Sequence, residues 1–419
     1  MGIARIMAMV PGKTCLLALL LIAPGWAIED GRIGILYISD PIRAPGFDFM
    51  RSEPIFSMRF VAASMRGFGG YDIEDIQRAI RLYMPRTYSD ITTWFDVIVL
   101  DNANRDALSI SHVELLARAV RESDLGLLMT GGWESFGGTG TNEPPWGTTA
   151  IGELLPTEDV EDTWVMSGRL IILEEDNEYI SSIPWDRKSP FMTSWHHNLV
   201  KVRPGATLLA EADKNTFQYM GQKHPILVTW ELTSGARTFA CTGEIAQSAI
   251  YLNYGGVSYT PWEYYGDLHS NLMIYLARRP VPQDVDLVHS VRSKAFEIKT
   301  RSSLLLNLLE FIEDFGASTR GVMGDLDLTN DMIASARQDY IDLRFDEVTE
   351  VYDGILDLLE ELEKDAVQLK ERALLWVYLI EWLAVSGVSL VTGFVLWTVM
   401  VRRRLYREIG TTRMVDTYR

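Results

Sequence analysis

Between Gly31 and about Pro280, short apolar runs alternate with amphipathic stretches. Residues 32–38, 95–100, 126–130, 206–210, 226–230 and 237–242 form such runs, mostly without polar interruption. An uninterrupted apolar run of this length suits a strand covered on both faces, and helices between such strands give a parallel α/β sheet. Ser111 stands where an N-cap would start the amphipathic stretch 112–122. Pro280 and Pro282 close this zone.

Beyond the prolines the period changes. Val288, Val291, Ala295, Ile298, Ser302, Leu305, Leu309 and Ile312 recur at alternating intervals of three and four. The same spacing resumes at Ile341, Phe345, Val348, Tyr352, Ile355, Leu359, Leu362, Ala366, Leu369, Ala373 and Trp376. Acidic residues fill the positions between, as on the outside of a coiled-coil seam. Gly316, Gly321 and Gly324 interrupt the pattern. It therefore predicts helices over 284–315 and 326–372, folded as an antiparallel helical hairpin that forms a stalk over 284–372.

The third pattern is an uncharged segment from Trp382 to Val401. Its twenty residues would cover about 30 Å as a helix, one hydrocarbon core. Trp376, Tyr378 and Trp382 gather at one edge and Trp397 near the other, as interfacial aromatics do. Arg402, Arg403, Arg404 and Arg407 follow at once. At the other terminus, Arg5 and Lys13 precede an apolar core over 15–22 and small residues up to Ala27. A basic start, short apolar core and small residues predict a signal peptide over 1–27. The basic tail 402–419 then falls in the cytoplasm by the positive-inside rule. The expected topology is a single-pass cell-membrane protein with its large N-terminal part extracytoplasmic.

Charge adds one exclusion. The net charge is −18; the first 27 residues contribute +2 and residues 402–419 contribute +4, so the part between holds −24. Such a surface disfavours nucleic acid as a partner. The same charge suits a saline habitat equally well. Only Cys15 and Cys241 occur, so a chain cleaved after Ala27 has no intrachain disulfide and must hold together by its core.

Candidate chemistry clusters at the ends of the predicted strands. The run 95–100 ends at Asp101 and Asn102, and 126–130 opens into Gly131-Gly132-Trp133-Glu134-Ser135-Phe136-Gly137-Gly138. These segments, with Ile35 to Pro41 and Ile151 to Pro156, resemble the class I glutamine amidotransferase-like family over roughly residues 31–278. The resemblance implies a flavodoxin-like, mostly parallel sheet with flanking helices over 28–280. It also implies a nucleophilic cysteine on a sharp Gly-x-Cys-x-Gly turn, yet this chain has Leu128-Met129-Thr130-Gly131-Gly132 there. Cys241 falls in a later predicted strand and reads as an ordinary core thiol. His196 and His197 are adjacent, so on a strand they would face opposite sides. No catalytic residue, metal ligand or cofactor site is assigned.

Ligands of open α/β sheets bind beyond the carboxyl ends of the strands. That places a candidate ligand site at Asp40, Asn102, Asn104, Thr130, Gly131, Gly132, Trp133, Glu134 and Ser135. The opposing reading is that the glycines only shape a long connection, with Trp133 packed inward. The expected function is non-catalytic binding or scaffolding at the cell surface. Its alternative is an exported hydrolase or amidotransferase-like enzyme using Thr130 or Ser135. A receptor is a third class, and it would need a cytoplasmic partner for the short tail. The membrane is one partner, and the stalk invites self-association or a second membrane protein. A small-molecule ligand is not identified by the sequence.

Overall fold

A computed structural model describes residues 31–39, 50–64, 72–138, 145–187, 193–214, 223–243, 250–252 and 260–415. Asp40 and the segment 1–27 read as a signal peptide lie outside the described residues. The chain divides into two compact units: residues up to Arg292 with Tyr340–Leu343, and Ser293–Asp339 with Arg344–Arg419.

The first unit is built on one mixed sheet. Its strands are β1 (Ile33–Ser39), β2 (Phe56–Ala62), β3 (Val97–Asp101), β4 (Gly126–Thr130), β5 (Thr157–Ile172), β6 (Thr193–Val202), β7 (Thr207–Lys214), β8 (Lys223–Glu231), β9 (Arg237–Cys241), β10 (Ile250–Leu252) and β11 (Thr260–Pro261). Their spatial order is β11-β10-β6-β5-β7-β8-β9-β4-β3-β1-β2. The block β2-β1-β3-β4-β9 is parallel, and the strands from β8 to β11 pair antiparallel. The expectation of parallel strands thus describes this block, while the stretch between β4 and β9 supplies an antiparallel extension. Every residue of β1, β3 and β4 is buried, which is why those runs carry no alternation.

Helices α1 (Ile73–Tyr83), α2 (Tyr88–Trp94) and α3 (Ile110–Glu122) connect the parallel strands. Each starts on a side-chain cap: Asp72 accepts from Glu74 N, Thr87 and Asp90 form a reciprocal capping box, and Ser109 accepts from His112 N. The cap of α3 is therefore Ser109 and not Ser111, whose hydroxyl instead meets that of Ser109 at 2.9 Å. The buried faces of these helices (Ile76, Ile80, Ile91, Val113, Leu116, Val120) join Leu36, Ile38, Ile98, Leu100, Leu127 and Met129 in one core. Each such aliphatic side chain stabilises the fold by about 1.5–3 kcal/mol through burial.

Helix α4 (Tyr265–Leu276) is buried along its whole length. Near it lies an ion cluster. Arg292, 1 % exposed, pairs with Glu53 and with Asp267 (3.0 Å), Asp267 meets His289 Nδ1 at 2.7 Å, and the Tyr340 hydroxyl donates to Glu53. A buried guanidinium is tolerable only when carboxylates face it, and here two do.

The helical region contains α5 (Val285–Asp314), α6 (Arg320–Ile341) and α7 (Phe345–Val415). The expected antiparallel hairpin is corrected to three helices. Within the second unit, Lys294 pairs with Asp353 at 2.6 Å and Arg301 with Glu363 at 2.8 Å. Both pairs advance in the same sense, so α5 and α7 run parallel, with α6 returning between them. The overlooked reversal lies at 342–344, where Leu343 takes φ +60° and Arg344 binds back to Asp339. No glycine or proline marks it. Gly321 and Gly324, expected in the break, lie inside α6, and only Gly316 (φ +80°) ends a helix. The predicted seams are otherwise buried, from Val288 to Ile312 and from Phe345 to Ala373, with Ser302 and Leu369 half-buried.

Helix α7 runs without a break from Phe345 through the uncharged segment. Its apolar stretch has a mean hydropathy of 1.9 and none of it is buried, so it is long and apolar enough to cross a membrane.

Candidate functional site

Four parallel strands end in one row. Ser39 pairs in register with Asp101, Asp101 with Thr130, and Thr130 with Cys241. Residues level on neighbouring strands point to the same face, so their side chains meet. The Asp101 carboxylate accepts from Thr130 Oγ1 at 2.5 Å, from Tyr37 OH at 2.5 Å and, weakly, from Ser39 Oγ at 3.4 Å. Burial pushes this carboxyl above the usual range, and the three hydroxyls pull it only partly back.

Beyond the row, the loop 131–138 folds onto the strand ends. Gly131 N donates to Cys241 O at 2.7 Å and to Gly243 O at 2.8 Å. A Cβ at this position would stand 1.8 Å from Thr242 O, so only glycine fits. Gly132 adopts φ +152°, and a Cβ there would meet Asn102 Oδ1 at 2.3 Å. Asn102 itself takes φ +46°, a conformation asparagine tolerates better than most residues. Its Oδ1 accepts from Glu134 N at 2.9 Å. Asn104 Nδ2 donates to Glu134 Oε1 at 2.8 Å, while Asn104 Oδ1 accepts from Asp106 N at 2.8 Å.

Two residues that the sequence reading passed over hold the loop. The Asn198 amide accepts from Gly132 N at 2.9 Å and donates to Gly132 O at 3.1 Å and Ser135 O at 3.2 Å. Trp146, fully buried, donates its indole N–H to Ala103 O at 3.1 Å and Glu134 O at 3.2 Å. Asn198 stands beside His197 in the sequence, but no spacing rule linked it to a loop more than sixty residues away.

The expected site residues other than Asp40 therefore do come together. They do so as a closed knot, with Thr130 bonded to Asp101, Asn104 to Glu134 and Glu134 N to Asn102. Thr130 is 0 %, Ser135 1 % and Glu134 2 % exposed, whereas Trp133 is 37 % exposed. Trp133 is the most exposed residue of this group. Ser135 Oγ has no hydrogen-bond partner among the described residues.

Burial pushes the Cys241 thiol up to about 12, so it stays protonated at neutral pH. His196 and His197 lie on β6, opposite Met166 and Val165. Among the described residues, no group of three or more His, Cys, Asp or Glu is arranged to hold a metal ion. His269 on α4 is fully buried, neither ring nitrogen has a hydrogen-bond partner among the described residues, and burial pulls its pKa down to about 3. No model of a known protein family matches the chain, and no characterised protein is significantly similar to it.

Proposed function

We propose that the first unit is a flavodoxin-like domain akin to the class I glutamine amidotransferase-like family, and that it binds rather than catalyses. In this reading it acts as a ligand-binding or scaffolding ectodomain outside a cell membrane crossed once by α7, with the tail 402–419 in the cytoplasm. The strand order supports the fold: the parallel strands run β2-β1-β3-β4-β9, the 2-1-3-4-5 order of flavodoxin-like sheets. One observation carries the functional part. Where the family sets an exposed nucleophilic cysteine, this chain has Thr130, wholly buried and donating its hydroxyl to Asp101. Binding then falls to the rim of the knot, where Trp133 offers an open aromatic face. Leu304 and Leu328, 63 % and 50 % exposed on the helical unit, support self-association or a second membrane subunit there.

The enzymatic alternative has one observation in its favour. Asp101 lies within hydrogen-bond reach of Thr130, the geometry a general base needs. Yet a nucleophile must be reached by its substrate, and neither side chain is more than 1 % exposed. The test is ammonia release from glutamine and from simple amides by the full chain in detergent, beside Thr130→Val. Equal, background-level release from both proteins agrees with the binding reading. Turnover that disappears in Thr130→Val overturns it.

A further inference from the structure

The helical unit exposes aromatic residues that its own packing does not use. Phe311 on α5 and Phe315 just beyond its end are 45 % and 38 % exposed, with ring centroids 4.8 Å apart. Leu305, Leu309 and Ile312 already form the buried seam of that helix. Both phenylalanines stand at the turn that joins α5 to α6.

The two inter-helix ion pairs fix how far along α7 this turn reaches. Counting from Lys294 and its partner Asp353, and from Arg301 and its partner Glu363, equal helical rise puts Phe315 level with about residues 374–377 of α7. There α7 becomes apolar on every side, with Leu375, Trp376, Tyr378, Leu379 and Ile380 all at least 44 % exposed. The uncharged segment begins at Trp382, about 8–12 Å further on. A headgroup layer is about 5–8 Å deep on each side of the hydrocarbon, and a phenylalanine ring reaches several Å beyond its backbone. The turn and the aromatic edge of the span therefore lie at one level.

We infer that the α5–α6 turn is a lipid-contacting element, with Phe315 seated among the headgroups of the bilayer that α7 crosses and Phe311 one helical turn above it. This rests on reading 382–401 as a membrane span. Aromatic rings settle at that depth because one part of the layer is apolar and the other wet. The charge around them selects the lipid. Glu310, Glu313 and Asp314, with Glu371 on the facing stretch of α7, outnumber the cations at this level, Arg320, Lys370 and Arg372, so anionic headgroups are disfavoured and zwitterionic ones accepted. A second contact beside the span fixes the tilt of the bundle, which a lone helix leaves loose.

The test uses the full chain in phosphatidylcholine vesicles with Cys15→Ala, Cys241→Ala and one introduced cysteine carrying a nitrobenzoxadiazole dye. The sites are Phe315→Cys, Ser335→Cys on the same unit about 22 Å along α6, and Val391→Cys within the apolar segment. Headgroup spin labels should quench the dye at 315 at least twofold more than at 335, and mid-chain spin labels should quench it at 391. Adding one third phosphatidylglycerol should weaken quenching at 315; an increase would overturn the choice of lipid. Quenching at 391 with 315 no different from 335 would overturn the lipid contact and leave the span standing. No quenching at 391 would overturn both.

Discussion

Arg292 faces two carboxylates, Glu53 and Asp267, and His289 decides the balance. With a protonated imidazole the four groups sum to zero; with a neutral one a negative charge remains largely buried. The hydrogen bond to Asp267 is the main reason His289 holds its proton above the ordinary histidine pKa, with the Asp267 and Glu263 charges adding to it and burial and Arg292 opposing. A raised folded pKa stabilises fully below the unfolded value of about 6.5 and is lost as pH rises through the folded value. His269 works the other way, because its folded pKa falls to about 3. The unfolded chain takes up that proton below about 6.5 while the fold refuses it, so stability drops as pH falls. Urea midpoints of the full chain in detergent should therefore decline on both sides of about pH 6.5. His289→Gln should flatten the alkaline side and His269→Leu the side between about pH 5 and 6.5. Unchanged slopes in both variants would refute this account. Asn198 offers a second test at this scale. Asn198→Ala strands the N–H of Gly132 and the carbonyls of Gly132 and Ser135 in a buried loop, which should cost about 2–4 kcal/mol in chemical denaturation. A loss below about 0.5 kcal/mol would mean that water replaces the amide.

The strands and helices differ in how openly the sequence announced them. The runs at 33–39, 97–101 and 126–130 were legible because burial on both faces leaves them apolar up to their last residues, Ser39, Asp101 and Thr130. The seams of α5 and α7 were legible because apolar residues spaced 3.5 apart fall on one stripe of a helix and on no single face of a strand. The antiparallel extension β5 to β8 was not, since apolar runs do not say which direction a strand takes. Nor was the reversal at 342–344, where Leu343 occupies the left-handed region and glycine would be the expected residue. Leu343 is 39 % exposed, so little burial is lost by replacing it. Leu343→Gly should accordingly stabilise the chain by about 1 kcal/mol, read from the shift of its denaturation midpoint. If the variant is destabilised by as much, packing of that leucine outweighs its backbone strain.

At the scale of the molecule, one helix among the described residues is long and apolar enough to cross a membrane, and the proposed topology can be checked directly. The chain should stay in the membrane fraction after alkaline wash. Protease added outside intact cells should remove the first unit. Its protection would reverse the proposed orientation without touching the fold. What the sequence determined by itself was whatever depends on local period and composition: the buried strands, the heptad seams and the apolar segment. Only the tertiary structure decided what the strand-end residues do. Asn102, Asn104, Thr130, Glu134 and Ser135 looked like ligand-binding groups because polar residues at strand ends usually face solvent. In the folded chain Asn198 and Trp146 arrive from distant segments and close them over. The sequence could not show this, because a hydrogen bond between residues far apart along the chain leaves no periodic mark on either.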